Sequence, residues 1–354
     1  MKLPVIEISG RKIGAGFPPY VVAEMSANHN GSLERAFATI RAAKAAGADA
    51  VKLQTYTADM LTLDIRTEDF AVQGGLWDGQ NLYDLYSAAQ MPLEWHPPLF
   101  EYAANLGITL FSTPFAESAV DLLEDLNAPA YKIASCEIVD VGLIRYAAST
   151  GKPLIISTGM ASVDDIHEAI AAAYDGGCRQ LAILHCVSGY PAPATDYNLR
   201  TLLDMQQRFG HVVGLSDHTL ESATAVASVV FGAALIEKHF TLDHLDGGVD
   251  EAFSLDPSAF ASLCRDVKTA WQALGQVDYA VKSSEQGNLK FRRSLYFVKD
   301  LQPGDLITPD AVRSVRPAFG LAPKYLASIL GCRLVQPVTY GCPVTWEVLD
   351  KTAG

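Results

Sequence analysis

None of the six cysteines (Cys136, Cys178, Cys186, Cys264, Cys332 and Cys342) stands in a CxxC pair, and no zinc-like cluster surrounds them. A disulfide framework and a structural zinc are therefore weak readings, and reduced thiols in a cytoplasm are the better one. Basic charge is also scarce. Lys and Arg number 27 against 40 Asp and Glu, a formal net charge of −13. Nucleic-acid binding relies on basic surface and counterion release, so no nucleic-acid partner is expected. An anionic ligand would have to be met by isolated lysines inside apolar strands. Long apolar runs are missing too: Ser222–Ile236 falls short of the roughly 20 residues a membrane span needs, so no membrane association is expected. The leading MKLPVIEISGRKIG has no apolar h-region, and the expected location is cytoplasmic.

What the chain does have is a balance of 49% hydrophobic and 19% charged residues over 354 positions. That is enough for a barrel-sized unit of about 250 residues and a module of about 60 to 70. Eight short runs rich in Val, Ile, Leu and Thr recur between alanine-rich helical stretches: YVVAEMS, AVKLQTY, ITLFSTP, AYKIASCE, PLIISTGM, LAILHCVS, VVGLSDH and ALIEKHF. This alternation predicts an α/β fold, a (β/α)8 TIM barrel over residues 1–280. SLERAFATIRAAKAAGA opens on a capping serine, and ASVDDIHEAIAAAYDGG does the same and stops at a glycine pair. A long insertion, from Ala58 to about Trp95, interrupts one βα connection and reads as functional. After a linker at 281–290, the PGD and TPD turns of 291–354 predict a small β-rich domain.

The catalytic face of a parallel barrel lies at the carboxyl ends of its strands, and nearly every run here ends in polar residues. In chain order these are Glu24, Ser26, Asn28 and His29; Lys52 and Gln54; Ser112 and Thr113; Lys132, Ser135 and Glu137; Ser157 and Thr158; His185, Ser188 and Tyr190; Ser216, Asp217 and His218; Glu237, Lys238 and His239. Packing alone does not explain eight such ends, since an unpaired buried polar group costs about 1 to 3 kcal/mol. Lys52 and Lys132 sit in apolar strands, where a lysine needs an anionic partner. Three readings stand: a salt bridge to Glu24 or Glu137, a phosphate or carboxylate held between the ammoniums with Thr113, Ser135 and Ser157 as donors, or a Schiff-base lysine. His218 and His239 end adjacent strands and suit a transition metal, with Asp250 or Glu237 available as a further ligand.

The motifs AEMSANHNGSLERA, VKLQTY, STPF, YKIAS, STGM, GLSDHT and IEKHFTLD, in this order, resemble the sialic acid synthase family of phosphoenolpyruvate-condensing enzymes. The tail SLYFVKDLQPGDLITPDAVRSVRPAFGLAPKYL resembles that family's antifreeze-protein-like (SAF) domain. GGLWDGQNLYDLY, EWH and RPAFGLAPKYL are similar to its pseudaminic acid branch. Ser188, where N-acetylneuraminate synthases carry Asn, and Ala318-Phe319-Gly320 depart from the N-acetylneuraminate branch.

The resemblance implies that Lys52, Thr113, Lys132, Ser135 and Ser157 bind phosphoenolpyruvate, and that Lys52, Lys132 and Glu137 are catalytic. It implies His218 and His239 as ligands of a divalent metal, Mn2+ with Mg2+ or Co2+ as alternatives. Glu24, Gln54, Tyr190, Asp250 and Arg316 match positions facing an amino-sugar aldose. Arg316 would come from the partner chain of a domain-swapped homodimer. N-acetylneuraminate and legionaminic acid synthases are the neighbouring readings; a Schiff-base aldolase or a non-catalytic sugar-binding protein are those of another class.

Overall fold

The eight apolar runs become eight parallel strands of a closed barrel in a computed structural model that describes residues 3–245 and 247–350. A short antiparallel hairpin comes first, β1 (Ile6–Ile8) and β2 (Arg11–Ile13). The barrel strands follow as β3 (Tyr20–Glu24), β4 (Ala50–Thr55), β5 (Thr109–Pro114), β6 (Tyr131–Ile133), β7 (Leu154–Ser157), β8 (Leu181–Cys186), β9 (Val212–Asp217) and β10 (Leu235–His239). Each pairs with the next, and β10 closes on β3 with Leu235 opposite Tyr20 and His239 opposite Glu24.

Strand side chains alternate between two apolar cores. Tyr20, Val22, Ala50, Phe111, Ile155, Leu184, Val212 and Leu235 form an inner cluster within the barrel. Ile6, Ile8 and Ile13 join it, so the hairpin, which the sequence reading did not anticipate, plugs the inside of the barrel. Val21, Val51, Leu53, Leu110, Tyr131, Ile133, Ile156, Ile183, Leu215 and Ile236 belong to the outer cluster, shared with the helices. Among the helices are α1 (Leu33–Ala45), α2 (Ala58–Leu61), α3 (Leu82–Ala89), α4 (His96–Leu106), α5 (Glu117–Asp125), α6 (Val141–Ser149), α7 (Val163–Asp175), α8 (Thr201–Phe209), α9 (Ala223–Val230) and α10 (Pro257–Leu274).

Local chemistry sets the ends of these helices. Ser32 caps α1 by accepting from the Arg35 amide, and Ser162 caps α7 in a reciprocal box with Asp165. The insertion after β4 contains α2, α3 and three 310 turns. The chain divides into two compact units between Gly275 and Gln276, and residues 283–291, mostly within the stretch read as linker, form a 310 helix of the second unit. That unit pairs two four-residue strands, β11 (Ser294–Phe297) and β12 (Val312–Val315), and adds isolated bridges such as Leu301 with Val338. Its core is built on Leu295, Phe297, Ile307, Ile329 and Val344. The last four residues of the expected small domain, 351–354, lie outside the described residues.

Candidate active site

Period-two alternation places Glu24, Lys52, Gln54, Thr113, Lys132, Ser157, Ser216, Glu237 and His239 on the inner side of the barrel, one or two steps beyond the apolar layer. They form a buried ionic layer. The Lys52 ammonium lies 2.7 Å from Glu24 and 3.8 Å from Glu237, and donates to Thr113 at 3.1 Å. Lys132 reaches Glu237 only at 3.9 Å and donates to the Ile133 carbonyl at 3.1 Å. The salt-bridge reading thus holds for Lys52 with Glu24. It does not hold with Glu137: among the described residues the ion pairs of Lys52 and Lys132 go to Glu24 and Glu237.

Electrostatics differ across this layer. Burial pushes Glu24 up to about 7 despite the neighbouring Lys52, and Glu237 adds to the rise. Lys132 is held below its ordinary value, first by burial and then against the pull of Glu237. Burial works against charge on Glu237 too, but the two lysines outweigh it and hold its carboxyl low. Glu137 is raised, mainly by burial.

At the top of this layer the strand ends meet groups of the following loops. Gln54 donates to both Glu24 and Ser26 at 2.9 Å, and Ser26 in turn donates to Asp250. Ser135 accepts from the Gly159 amide at 3.0 Å, where a Cβ on Gly159 would strike the Ser135 and Ser188 hydroxyls. Ser157 Oγ is buried without a partner. The His218 and His239 rings lie 5.4 Å apart between centroids, and the Tyr190 ring lies 4.3 Å from His218, tilted by 39°. A cavity of about 390 Å³ opens over these groups, lined by Ser26, Gln54, Ser135, Glu137, Tyr190, His239 and Asp250 among others.

Two imidazoles fit a divalent cation here. His218 Nδ1 donates to the Val187 carbonyl at 2.8 Å, so Nε2 is the nitrogen that would face a cation. Burial works against charge on this ring, but Cys186 and the Val187 carbonyl outweigh it and hold His218 above its ordinary value, so a cation would displace a proton there. His239 Nδ1 is buried with no partner, and burial followed by the charge of His218 keeps this imidazole neutral. No third His, Cys, Asp or Glu joins them in a metal-holding group among the described residues. Glu237 and Asp250, weighed as further ligands, are instead engaged by Ser216 and the lysines and by Ser26. Such a cation would take its other ligands from water and substrate.

The NeuB family matches residues 39–279, and the SAF domain matches residues 292–350. This chain belongs to the NeuB family. A pseudaminic acid synthase of Helicobacter pylori is 41% identical over 95% of this chain and 99% of its own length. An N,N'-diacetyllegionaminic acid synthase of Legionella pneumophila is 35% identical, covering 97% and 99%. The solved N-acetylneuraminic acid synthetase of Leptospira borgpetersenii, in complex with citrate, superposes with a TM-score of 0.72 at 28% identity, covering 82% of this chain and 96% of that one.

Within this NeuB chain, several strand-end residues turn away from the cavity. Asp217 and Lys238 pair with each other on the outer parity, and His185 bonds the Tyr197 carbonyl. Asn28 is spent on the Phe240 carbonyl and Ser254. Arg316 belongs to the second unit, where it lines a surface groove with Arg293 and Arg313. Sequence reasoning missed Tyr56, Trp77, Tyr86 and Phe115, which also line the cavity. Trp77 and Tyr86 lie in the insertion, whose length was the available signal.

Proposed function

We propose that this protein is a pseudaminic acid synthase, condensing phosphoenolpyruvate with 2,4-diacetamido-2,4,6-trideoxy-L-altrose to give pseudaminic acid and phosphate. The observation that carries the reading is the 41% identity to the Helicobacter pylori pseudaminic acid synthase over almost the whole of both chains. The enzyme is a transferase that forms a C–C bond and cleaves a C–O bond.

The buried layer supports this chemistry. Lys52 and Lys132, with Thr113, Ser135 and Ser157, take the phosphate and carboxylate of phosphoenolpyruvate, so that two electron-rich partners approach within reacting distance. At rest the two lysines are balanced by Glu24 and Glu237. An incoming anion upsets that balance, and Glu24, already poised near neutrality, relieves it by holding a proton. C3 of phosphoenolpyruvate attacks the open-chain aldehyde carbon, and the C=O π pair moves to the aldehyde oxygen, which takes up a proton to become the product hydroxyl. Water adds at C2 while Glu137 accepts its proton. The tetrahedral centre then collapses with loss of phosphate. The elevated pKa of Glu137 suits a general base. Glu24, Gln54, Tyr190 and Asp250 orient the sugar.

His218 and His239 would hold the divalent cation, Mn2+ or alternatively Mg2+ or Co2+, which supplies Lewis-acid polarisation of the aldehyde oxygen when bound. Arg316 would reach the barrel of a partner subunit in a domain-swapped homodimer. A cytoplasmic location belongs to the same proposal. The test is phosphate release from phosphoenolpyruvate by EDTA-treated protein, with and without Mn2+, comparing the altrose with N-acetylmannosamine. Metal-dependent release with the altrose is expected. Release with N-acetylmannosamine alone would overturn the sugar, and no release with either would return the barrel to aldolase or sugar-binding readings.

A further inference from the structure

Helix α3 carries Leu82, Leu85, Tyr86 and Ala89 at i, i+3, i+4 and i+7, the spacing of a single helix face. Such a stripe ordinarily covers a core. Here it lines the cavity, together with Leu61 and Val72 of the same insertion and Phe115 just after β5. The hydroxyl of Tyr86 is the one polar side-chain atom this set brings; Trp77 of the same insertion also lines the cavity, and its indole N–H donates to the Val249 carbonyl at 3.3 Å. The cavity therefore joins two chemistries: polar groups from strand ends and their loops, and hydrocarbon from the insertion.

We propose that this apolar wall, built by residues 58–95 with Phe115, is the subsite that selects the sugar, by receiving a methyl group carried at the end remote from the aldehyde. The inference rests on the proposed reaction and deepens it. In the trideoxy sugar that methyl is either C6 itself or the methyl of the 4-acetamido group. A hydroxymethyl group would bring a hydroxyl to side chains that offer it almost no hydrogen-bond partner, whereas a methyl loses nothing there. Discrimination by one such group in an apolar pocket runs from about tenfold upward.

The experiment compares kcat/KM for the trideoxy altrose, its 6-hydroxy counterpart and its 4-amino counterpart, in wild type, Val72→Thr and Leu82→Gln. Wild type is expected to lose about tenfold or more with at least one counterpart, and the one that suffers identifies the methyl being read. Both variants should narrow that preference to about threefold, with KM for phosphoenolpyruvate and Tm unchanged; Val72→Thr keeps the side-chain shape and guards against a folding defect. Equal kcat/KM for all three sugars in wild type, or a preference untouched in both variants, overturns the proposal. Calorimetric titration of the same sugars separates the two claims. If wild type turns over none of them, that counts against the reaction, while tenfold weaker binding of a counterpart still supports the wall and equal binding sinks it.

Discussion

Lys132 and Lys238 are both buried lysines on barrel strands, but they face opposite sides of the wall and live in different states. Lys238, fully buried, has Asp217 at 2.9 Å and the Glu221 carbonyl at 3.1 Å, and donates to the Thr219 carbonyl as well. Its three donors are taken. Lys132 has one carbonyl at hydrogen-bond distance and a shared carboxylate at 3.9 Å. A saturated buried ammonium has no donor left for anything but the fold, whereas Lys132 keeps donors for the anion it is proposed to bind.

The comparison breaks most visibly at Lys238. Lys238→Ala would leave Asp217 as an uncompensated buried charge and should cost about 3 to 5 kcal/mol in urea unfolding. An unchanged midpoint would erase the distinction drawn here. Lys132→Ala should lower kcat/KM for phosphoenolpyruvate about 100-fold, raising KM and lowering kcat, while costing less stability than Lys238→Ala, because its carboxylate partner Glu237 keeps Lys52 at 3.8 Å. Wild-type kinetics in that variant would remove Lys132 from the site.

The smallest effect concerns Glu24. In the unfolded chain it loses its proton near 4.5, and in the folded barrel near 7. Between those values the folded state holds the extra proton, so this contribution to stability is fully present at pH 4.5 and below and declines as pH rises towards 7. Glu24→Gln should flatten that part of the curve, as measured by urea unfolding at pH 5 and pH 7.5. An identical slope in both proteins would show that Glu24 does not carry it.

Much of the fold was legible because its signals are local. The β-branched runs, the caps at Ser32 and Ser162 and the turn-rich tail each depend on a few neighbouring residues. The paired histidines were legible for the same reason, each ending an apolar run. Facing was not. Strands of a parallel barrel are buried on both sides, so Glu237, Lys238 and His239 read alike in sequence although only the first and third look inward. The β1–β2 hairpin was missed because three-residue strands carry too little periodicity. The face of α3 was missed because a helical apolar stripe has the same spacing whether it covers a core or a cavity.

The sequence by itself determined the barrel, the order of its strands and the identity of the polar groups at their ends, because period and composition act over short stretches of chain. Only the tertiary structure decided which of those groups meet. Barrel closure brings β10 against β3, and the shared register then puts Glu237, which is 185 positions away in sequence, beside Lys52 together with Glu24. No local pattern encodes that meeting, since it follows from hydrogen-bond pairing around the whole ring.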